Sequence, residues 1–508
     1  MKLVIALLTA TPGLAQIGSD QVVVRIGPWT SGASVDTSAW KTFGNGPAHT
    51  GAYLGVYGEG STELLWSNTY SQEIQQVAVK DGIVYATPWQ YFSSAWLQAL
   101  DASDGSQLWK YDFNQCYSVN PPTVDGEHVY VQRGNHSGDT HLWSFHSDTG
   151  IADWVAPHAA QWERYLAPCV ADGRVFVNGG YYGGMHGFDQ NDGQQLFYLD
   201  LPQYDEWVPS YYGGRLYSFV AGTLMQHDPA SAAIDWSLVL GWDWSGWSMN
   251  RTTAIANGRA YLINSDGLYC IDLTTGTVAW QFAGNYHGTP AVVGDRVYVM
   301  AGGMVSVHDA WDGSFGGFCI GSGNVLLQQP LVTDDAILVS SDTETIIFDR
   351  ETLSIREELP FGGELTLANG RLFIAGSNVL LGDGLWAFTI PGPSEAEANL
   401  ICDVEPWRFV GPDPEVNSLV TITNSGLVPT GKYTAQLRLS DDLILDKDDL
   451  VLRLLHMRSL DPGESISGTM RLKWDPNLTG KYVLLDLDSR DDVSETDEAN
   501  LFPTGAIQ

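Results

Sequence analysis

The chain has 508 residues, which is too long for one ordinary domain and long enough for two or three. Only 17% of the residues are charged, and 60 acidic against 25 basic residues give a net charge of −35. Such an acidic chain repels nucleic acid and anionic membrane surfaces, so we expect neither as a partner. No run of about 18 apolar residues occurs, so no membrane insertion is expected. The 55 glycines, 19 tryptophans and 22 tyrosines suit short strands joined by tight turns.

The N-terminus has the pattern of a signal peptide. Met1-Lys2 is followed by an apolar run from Leu3 to Ala10 and then by Gly13-Leu14-Ala15, which fits a small-x-Ala cleavage site. We therefore predict a signal peptide over residues 1–15. Export follows from it, with a secreted, periplasmic or cell-surface location. The alternative interpretation of the same run is a strand or an irregular start.

One sequence pattern recurs eight times at a period of about 40 residues. It comprises an apolar strand, an Asp-Gly-like turn, a second strand, a loop, a third strand ending in Asp, then Gly and an aromatic residue. In the first copy these are Asp81-Gly82, Val84-Tyr85, Asp101, Gly105 and Trp109. Asp-Gly and Asn-Gly pairs supply the positive φ that two-residue hairpins require. Four strands at this period indicate propeller blades. The later turns lie at 125–126, 172–173, 213–214, 257–258, 294–295, 334–335 and 369–370.

Closure of the ring is predicted from an orphan strand. The eighth copy ends near Trp386 without an outer strand of its own, and Leu64-Leu65-Trp66 precedes the first full copy. We therefore predict an all-β fold with an eight-bladed β-propeller over 60–390, preceded by a lead-in segment over 16–59. The recurring aromatic residues expected to pack between blades include Trp109, Trp154, Trp236 and Trp280.

These repeats resemble the pyrroloquinoline-quinone-like (PQQ-like) β-propeller family. The clearest match is Ala99-x-Asp101-xxx-Gly105-xxx-Trp109, and residues 275–280 (Thr-Gly-Thr-Val-Ala-Trp) form a second copy. Trp40, Phe43-Gly44 and His49-Thr50-Gly51 are similar to the lead-in of such propellers. The resemblance covers about residues 36–390. The family includes quinone dehydrogenases, outer-membrane assembly scaffolds and many secreted proteins, so the resemblance implies the fold and leaves the function open.

The C-terminal region predicts a second domain. A linker over 391–399 is followed by alternating strands across 400–508, which indicate an immunoglobulin-like β-sandwich. Asn424-Ser425-Gly426, residues 460–464 and Gly480-Lys481-Tyr482 resemble the CARDB family, an adhesion-related module of exported bacterial proteins. The resemblance implies a spacer or adhesion unit, and it supports export.

A quinone cofactor is not expected from these residues. The dehydrogenases of the family hold PQQ between a tryptophan and a disulfide of adjacent cysteines, beside a calcium held by Glu, Asn and Asp. Here no two of the five cysteines are adjacent, and no such acidic trio stands out, so no metal ligands are assigned. The aspartates of 441–449 and 486–492 leave calcium as an alternative to a solvated acidic face, which we favour.

The loop aromatics are the most suggestive feature for function. The loops between second and third strands, and those between blades, share one face of a propeller, here called the connection face. Aromatic rings stack against sugars, and arginine holds carboxylate or sulfate groups. We expect the ligand-binding residues of this face to be Trp162, Tyr165, Tyr182, Trp207, Trp242, Trp244, Trp247, Arg133 and Arg251.

Two function classes stay open at this point. The first is a non-catalytic binding or scaffold protein with a protein or glycan ligand, acidic glycans included, on the connection face. The second is an enzyme on the same face, either a lyase that removes a proton from a uronic acid or, less favoured, a PQQ-dependent dehydrogenase. Inter-blade packing is the structural alternative for the same aromatics. The candidates for lyase chemistry are His136, His158, Tyr181 and Arg164.

Overall fold

A computed structural model shows an all-β protein. It describes residues 2–7, 24–26, 30–32, 37, 39–89, 91–134, 140–160, 166–180, 182–242, 246, 248–378, 381–392, 400–404, 408–409, 415–424, 429–440, 450–461, 463–473, 482–487 and 503–507. Strands and turns account for the regular structure in these ranges. Within them no helix is long and apolar enough to span a membrane.

Eight antiparallel four-stranded sheets follow one another along the chain, and each is one blade. Blade 1 contains Ala78–Lys80, Ile83–Ala86, Ser93–Asp101 and Gln107–Cys116, and blade 2 contains Thr123–Asp125, His128–Gly134, Thr140–His146 and Ala152–His158. Blade 3 contains Cys169–Ala171, Arg174–Asn178, Met185–Asp189 and Gln195–Leu199, and blade 4 contains Ser210–Tyr212, Arg215–Val220, Thr223–His227 and Ile234–Val239. A short strand, Ser118–Val119, also pairs with the second strand of blade 2.

Blades 5 to 8 continue the same order. Blade 5 contains Ala254–Ala256, Arg259–Asn264, Gly267–Asp272 and Thr277–Ala283, and blade 6 contains His287–Val293, Arg296–Ala301, Met304–Asp309 and Phe315–Ile320. Blade 7 contains Leu331–Val332, Ala336–Ser340, Thr345–Asp349 and Ile355–Leu359, and blade 8 contains Gly362–Ala368, Arg371–Asn378, Gly382–Thr389 and Glu63–Thr69. The last strand of blade 8 is thus the first one in sequence. It pairs antiparallel with Gly382–Thr389, with Trp66 opposite Ala387. The predicted eight-bladed ring, closed by the strand around Trp66, is confirmed.

A tryptophan on the outer strand of one blade docks onto the next blade. Trp109 donates from Nε1 to the carbonyl oxygen of Ser147 at 2.7 Å, and its ring covers Gly150 in the same turn. A Cβ on that glycine would collide with the ring, so the turn needs glycine both for contact and for its positive φ of 67°. The ring-on-glycine contact recurs for Trp66 on Gly105, Trp154 on Gly193, Trp236 on Gly276 and Trp280 on Gly313. The rings of Trp154 and Trp236 are only partly buried.

The inner segment, residues 37 and 39–58, runs past the first strand of every blade. Trp40 and Val79 of blade 1 exchange two backbone hydrogen bonds of 2.8 Å, and Thr42 Oγ1 donates to the carbonyl of Pro168 at the entry to blade 3. In each of the other six blades, a backbone amide donates to a carbonyl oxygen of the inner segment. The donor and acceptor pairs are Val124 and Lys41, Tyr211 and Pro47, Ile255 and Ala48, Val292 and Thr50, Val332 and Gly51, and Asn369 and Thr37. The segment therefore pairs with strand edges that face the propeller axis.

Beyond the propeller the chain forms two further sheets. The first contains Leu450–Met457, Tyr433–Ser440, Tyr482–Asp486, Lys2–Leu7 and Pro503–Ile507, and the second contains Val24–Ile26, Thr30–Gly32, Ser465–Lys473, Glu415–Asn424, Arg408–Phe409 and Leu400–Val404. Both sheets bury apolar side chains, such as Leu437 in the first and Ile422 in the second. Strand Lys2–Leu7 lies inside the predicted signal peptide. Pairing does not report on cleavage, so that segment and the domain limits stay predictions.

The tryptophan contact between blades makes a quantitative prediction. Trp280 is buried, and its Nε1 donates to the carbonyl of Ala310 at 3.2 Å across the boundary to blade 6. We expect Trp280→Ala to lower the free energy of unfolding by roughly 3–5 kcal/mol, because it leaves a cavity between the blades and removes one of the hydrogen bonds to the Ala310 carbonyl, which Tyr261 also contacts. Chemical denaturation provides the measurement. Phe318→Ala, on an exposed side chain, is the control. Equal losses of unfolding free energy in both variants would contradict the role of Trp280 in packing blade 5 against blade 6.

Candidate functional site: an axial cavity on the connection face

A cavity of about 370 Å³ lies on the propeller axis at the connection face. Every blade contributes to it, since the chain entering each first strand turns toward the axis there. From blade 1 to blade 8 these residues include Gln75, Asn120, Leu166, Glu206, Arg251, His287, Gln328 and Glu364. Its volume falls in the range of small-molecule sites.

The inner segment supplies the inner end of this cavity. Phe43 lines the cavity and is itself buried. Its carbonyl oxygen lies 2.8 Å from Nδ1 of the buried His49, whose Nε2 lies 3.1 Å from the carbonyl of Pro209. Burial lowers the pKa of His49, so the ring is neutral and donates to one of these carbonyls at a time. Because the segment contacts all eight blades, it closes the axial channel at this level.

Aromatic side chains gather at the mouth of the cavity. Trp89 and Tyr91 line it, and their ring centroids are 5.3 Å apart at 72°. Tyr91 contacts Tyr117 at 5.2 Å, which in turn contacts Phe92 edge-on at 4.9 Å. Trp89 is 41% exposed and Phe92 is 55% exposed. We call these four residues the mouth cluster; it places large apolar surface in solvent, supported by ring-to-ring contacts.

One wall of the cavity is acidic. Glu364 accepts hydrogen bonds from the backbone amide of Gln76 and from Nε2 of Gln328. Burial, with the negative charges of Glu73 and Glu206 nearby, raises the pKa of Glu364 to about 8. At neutral pH the Glu364 carboxyl is therefore mostly protonated, and a cation placed beside it would draw the proton off.

A cation and an imidazole line another part of the wall. Arg251 is only 5% exposed, and it donates from Nε to the carbonyl of Met249 at 2.8 Å and from Nη1 to that of Ile263 at 3.4 Å. Burial lowers the pKa of Arg251 to about 10, so it stays charged at neutral pH. His287 has Nε2 at 3.0 Å from the carbonyl of Leu326, and burial, with the charge of Arg251, lowers the pKa of His287. His287 is neutral, donates from Nε2, and keeps Nδ1 as an acceptor.

A buried polar chain leads from the cavity wall into the boundary between blades 2 and 3. Gln132 donates from Nε2 to the carbonyl of Asn178 at 3.0 Å and to Nε2 of His158 at 2.9 Å, and its Oε1 accepts from Asn120 Nδ2 at 2.9 Å. The ring of His158 lies 4.9 Å from that of His186. Within the described ranges Asn120 Oδ1 and the Nδ1 atoms of both histidines have no hydrogen-bond partner.

The structure disperses the sequence-predicted residues. His136, Trp162, Arg164, Tyr165, Tyr181, Trp244 and Trp247 lie outside the described residues. His158, proposed for proton transfer, is buried in the polar chain, where burial, the charge of His186 and that of His141 hold its pKa well below the usual range. It does not line the cavity.

The described members of the predicted ligand-binding set have different roles. Trp207 is 1% exposed and donates to the carbonyl of Tyr204 at 2.9 Å, so its ring is core rather than ligand surface. Trp242 is partly buried and donates to the Tyr204 hydroxyl at 3.0 Å. Tyr182 is 77% exposed, and Arg133 lies half-buried in blade 2. From this set, Arg251 lines the cavity.

Apart from Arg251, sequence reasoning missed the polar cavity residues because it ranked aromatics in long loops. A signal was present in the repeat register. Gln75, Asn120, Arg251 and Gln328 each stand three residues before the first strand of their blade, and all four line the cavity. Leu166 occupies the same register position in blade 3.

The acidic clusters considered for calcium fall mostly outside the described ranges, namely 441–449 and 488–492. Asp486 is described; it is buried and lies 3.9 Å from Nη2 of Arg438. Across the described residues, no group of three His, Cys, Asp or Glu side chains is placed to hold a metal ion.

The buried histidine pair predicts acid sensitivity. Burial lowers the pKa of His186 from 6.5 to about 4. The neutral form is therefore favoured in the folded state, and stability is complete above about pH 6.5 and is lost as the pH falls toward 4. We expect His186→Gln to remove about 3 kcal/mol of the pH-dependent loss, measured as free energy of unfolding from pH 7.5 to 4.5. The control is His456→Gln at an exposed histidine, and identical pH profiles for wild type and His186→Gln would contradict the assignment.

The fold is shared with several solved structures. BamB from Moraxella catarrhalis is 18% identical over 65% of this chain and 100% of its own, with a TM-score of 0.53. The quinohemoprotein alcohol dehydrogenase of Comamonas testosteroni is 14% identical over 75% of this chain and 84% of its own, with a TM-score of 0.57. The quinohemoprotein alcohol dehydrogenase ADHIIG of Pseudomonas putida is 14% identical over 74% of this chain and 84% of its own, with a TM-score of 0.56. At these identities the similarity shows the fold alone. Comparison with curated proteins finds no match.

The cavity residues do not fit the quinone cofactor of such dehydrogenases. PQQ carries three carboxylates, whereas this cavity sets Glu206 and Glu364 against the single arginine Arg251 among its described lining residues. The five cysteines are buried, none of them forms a disulfide, and none of them lines the cavity. We therefore derive no redox chemistry from this fold.

A family profile covers more than half of the chain. It matches residues 50–196 and 220–399, which contain all eight blades apart from segments of blades 3 and 4. The profile is described as outer membrane protein assembly factor BamB. It stops at residue 399, so the resemblance of the C-terminal region to CARDB stays a prediction. Sequence profile, blade count and ring closure agree, and the chain belongs to the BamB family of PQQ-like β-propellers.

Proposed function

We propose that this chain is an exported, non-catalytic binding or scaffold protein of the bacterial envelope, with its partner on the connection face. One observation carries the proposal: exposed aromatic rings lie on one side of the mouth of an axial cavity whose inner end is lined by Phe43 of the inner segment. Export is supported by the predicted signal peptide and by the name of the family, which refers to outer membrane assembly.

The mouth cluster has the features of an interaction surface. Trp89 and Phe92 are large, rigid and solvent-exposed, and Tyr182 adds a third exposed ring on the same face. Aromatic residues dominate the energetics of protein interfaces because they bury much area at low entropy cost. They stand beside a concave centre, which is where a partner's protruding side chain would anchor.

A protein partner is favoured over an acidic glycan. The predicted attraction for acidic ligands relied on arginines of the connection face, and Arg251 directs its described hydrogen bonds at backbone carbonyls inside the wall. With a net charge of −35, the chain as a whole attracts basic surfaces. The C-terminal sheets would then serve as the spacer or attachment unit that the CARDB resemblance implies.

The test compares the two faces of the propeller. Phe92→Ser combined with Tyr182→Ser changes the connection face, and Ile151→Ser changes a 67% exposed side chain in a turn of the opposite face. We expect the double variant to weaken binding to an envelope protein partner at least about tenfold, since losing two anchors costs more than 1.4 kcal/mol, and Ile151→Ser to leave it unchanged. Crosslinking identifies the partner and surface plasmon resonance measures the affinity.

A glycan array is probed in parallel with the wild type, the double variant and Ile151→Ser. If the wild type binds acidic glycans and the double variant does not, the ligand of the connection face is a glycan and not a protein. Equal binding by all three proteins, or loss only in Ile151→Ser, would overturn the assignment of the connection face.

A further inference from the structure

We propose that the axial cavity binds a primary ammonium group, with Glu364, Asn120 and His287 as its acceptors and the rings of Trp89 and Tyr91 along the attached alkyl chain. The group can belong to a small free amine or to a lysine side chain of the partner. In the second case the inference deepens the proposed function, on which it then rests.

The first argument is the hydrogen-bond polarity of the wall, where the side-chain amides of Gln75 and Gln328 donate to the protein itself. Gln75 Nε2 donates to Thr87 Oγ1 and to the carbonyls of Pro88 and Val119, at 3.2, 3.0 and 2.9 Å. Gln328 Nε2 donates to Glu364.

The acceptors, by contrast, have capacity left. Asn120 is 1% exposed, and its orientation is set by Gln132, whose Nε2 donates to the carbonyl of Asn178 and therefore presents Oε1 to Asn120 Nδ2. Asn120 Oδ1 then has no partner in the described part of the chain, and a buried acceptor of this kind costs about 1–3 kcal/mol unless a ligand or water donates to it. His287 Nδ1 is an acceptor because Nε2 donates to the carbonyl of Leu326.

The second argument is charge. A carboxyl group on a cavity wall, close to a second carboxylate, favours a cation that can pair with both. Glu364 and Glu206 both line the cavity, and Glu364 adds a second negative charge to that of Glu206 once a bound cation displaces its proton. An ammonium group carries three N–H donors, which matches one carboxylate, one amide oxygen and one imidazole nitrogen.

The third argument is shape. A volume of about 370 Å³ accommodates a butylammonium-sized chain with room for water. Trp89 and Tyr91 line the mouth as a T-shaped aromatic pair, so they can cover methylene groups and attract the cation through a ring face. Phe43 closes the inner end and limits the length of the chain that enters.

Isothermal titration of the full chain with n-butylammonium chloride and with a peptide bearing one central lysine tests the inference. Matched probes are 1-butanol, which lacks the charge, and butyrate, which reverses it. We expect one or both ammonium probes to bind while the two matched probes do not. If only the peptide binds, the source is a partner lysine; if butylammonium binds as well, a free amine suffices.

The binding should also release a proton. The pKa of Glu364 is about 8, so at pH 7 a bound cation must displace its proton, and titrations in phosphate and Tris buffers should differ by about one proton ionisation enthalpy. Affinity should rise from pH 6 to pH 9, since the amine, with a pKa near about 10.4, stays charged over most of that range.

Two variants report on different parts of the site. Glu364→Gln should weaken ammonium binding at least about tenfold and abolish the proton release, because it removes a charge-assisted hydrogen bond. Trp89→Ala, at a 41% exposed position, should weaken binding and keep the proton release. Glu358→Gln, on an exposed outer strand, is the matched control.

Absence of binding by both ammonium probes, equal binding of 1-butanol, or wild-type affinity and proton release in Glu364→Gln would overturn the inference. If Glu364→Gln does not fold, the pH dependence and the Trp89→Ala titration decide. The variant carrying Phe92→Ser and Tyr182→Ser should keep butylammonium binding. A failure of the cavity site is therefore distinguishable from a failure of the connection face.

Discussion

The structure depends on how the inner edges of its blades are paired. Each first strand approaches the axis with backbone groups that point into a narrow channel, and unpaired buried amides and carbonyls are costly. The inner segment satisfies these edges one blade after another, from Asn369 in blade 8 through Val79 and Val124 to Val332 in blade 7. A segment of about twenty residues thus links all eight sheets. The same path makes the channel a cavity with an inner end.

The tryptophan contacts hold the outside of the same ring. A ring on one blade covers a glycine of the next, and the indole N–H donates to a carbonyl in the same turn, as for Trp109 with Ser147. The inner segment joins the blades along the axis, and the tryptophans join neighbouring blades near the periphery. At the five boundaries with such a tryptophan, neighbouring blades are therefore fixed at two radii, which leaves the loops of the connection face free to vary without loss of the fold.

The sequence predicted the propeller well because its physical determinants are local. Hairpin turns such as Asp81-Gly82 need positive φ, and the Gly105 position needs a residue without a Cβ, so both leave a periodic trace. Even the closure by Trp66 could be inferred from a missing outer strand. The cavity was harder, because its residues are adjacent only after eight blades close. Trp207 illustrates the failure: a tryptophan in a connection looked like ligand surface, and it packs in the core.

The cavity residues also show why the number of charges along the chain does not by itself identify a ligand. The arginines near the connection face suggested an acidic ligand, yet the buried guanidinium of Arg251 donates from Nε and Nη1 to carbonyls of its own wall. Carboxylates behave differently, because Glu364 can accept more hydrogen bonds than Gln76 and Gln328 supply. What a wall offers a ligand is the set of groups left over after the fold has satisfied itself. In this cavity those groups include the acceptors Asn120 Oδ1 and His287 Nδ1, in keeping with a protein that is acidic overall.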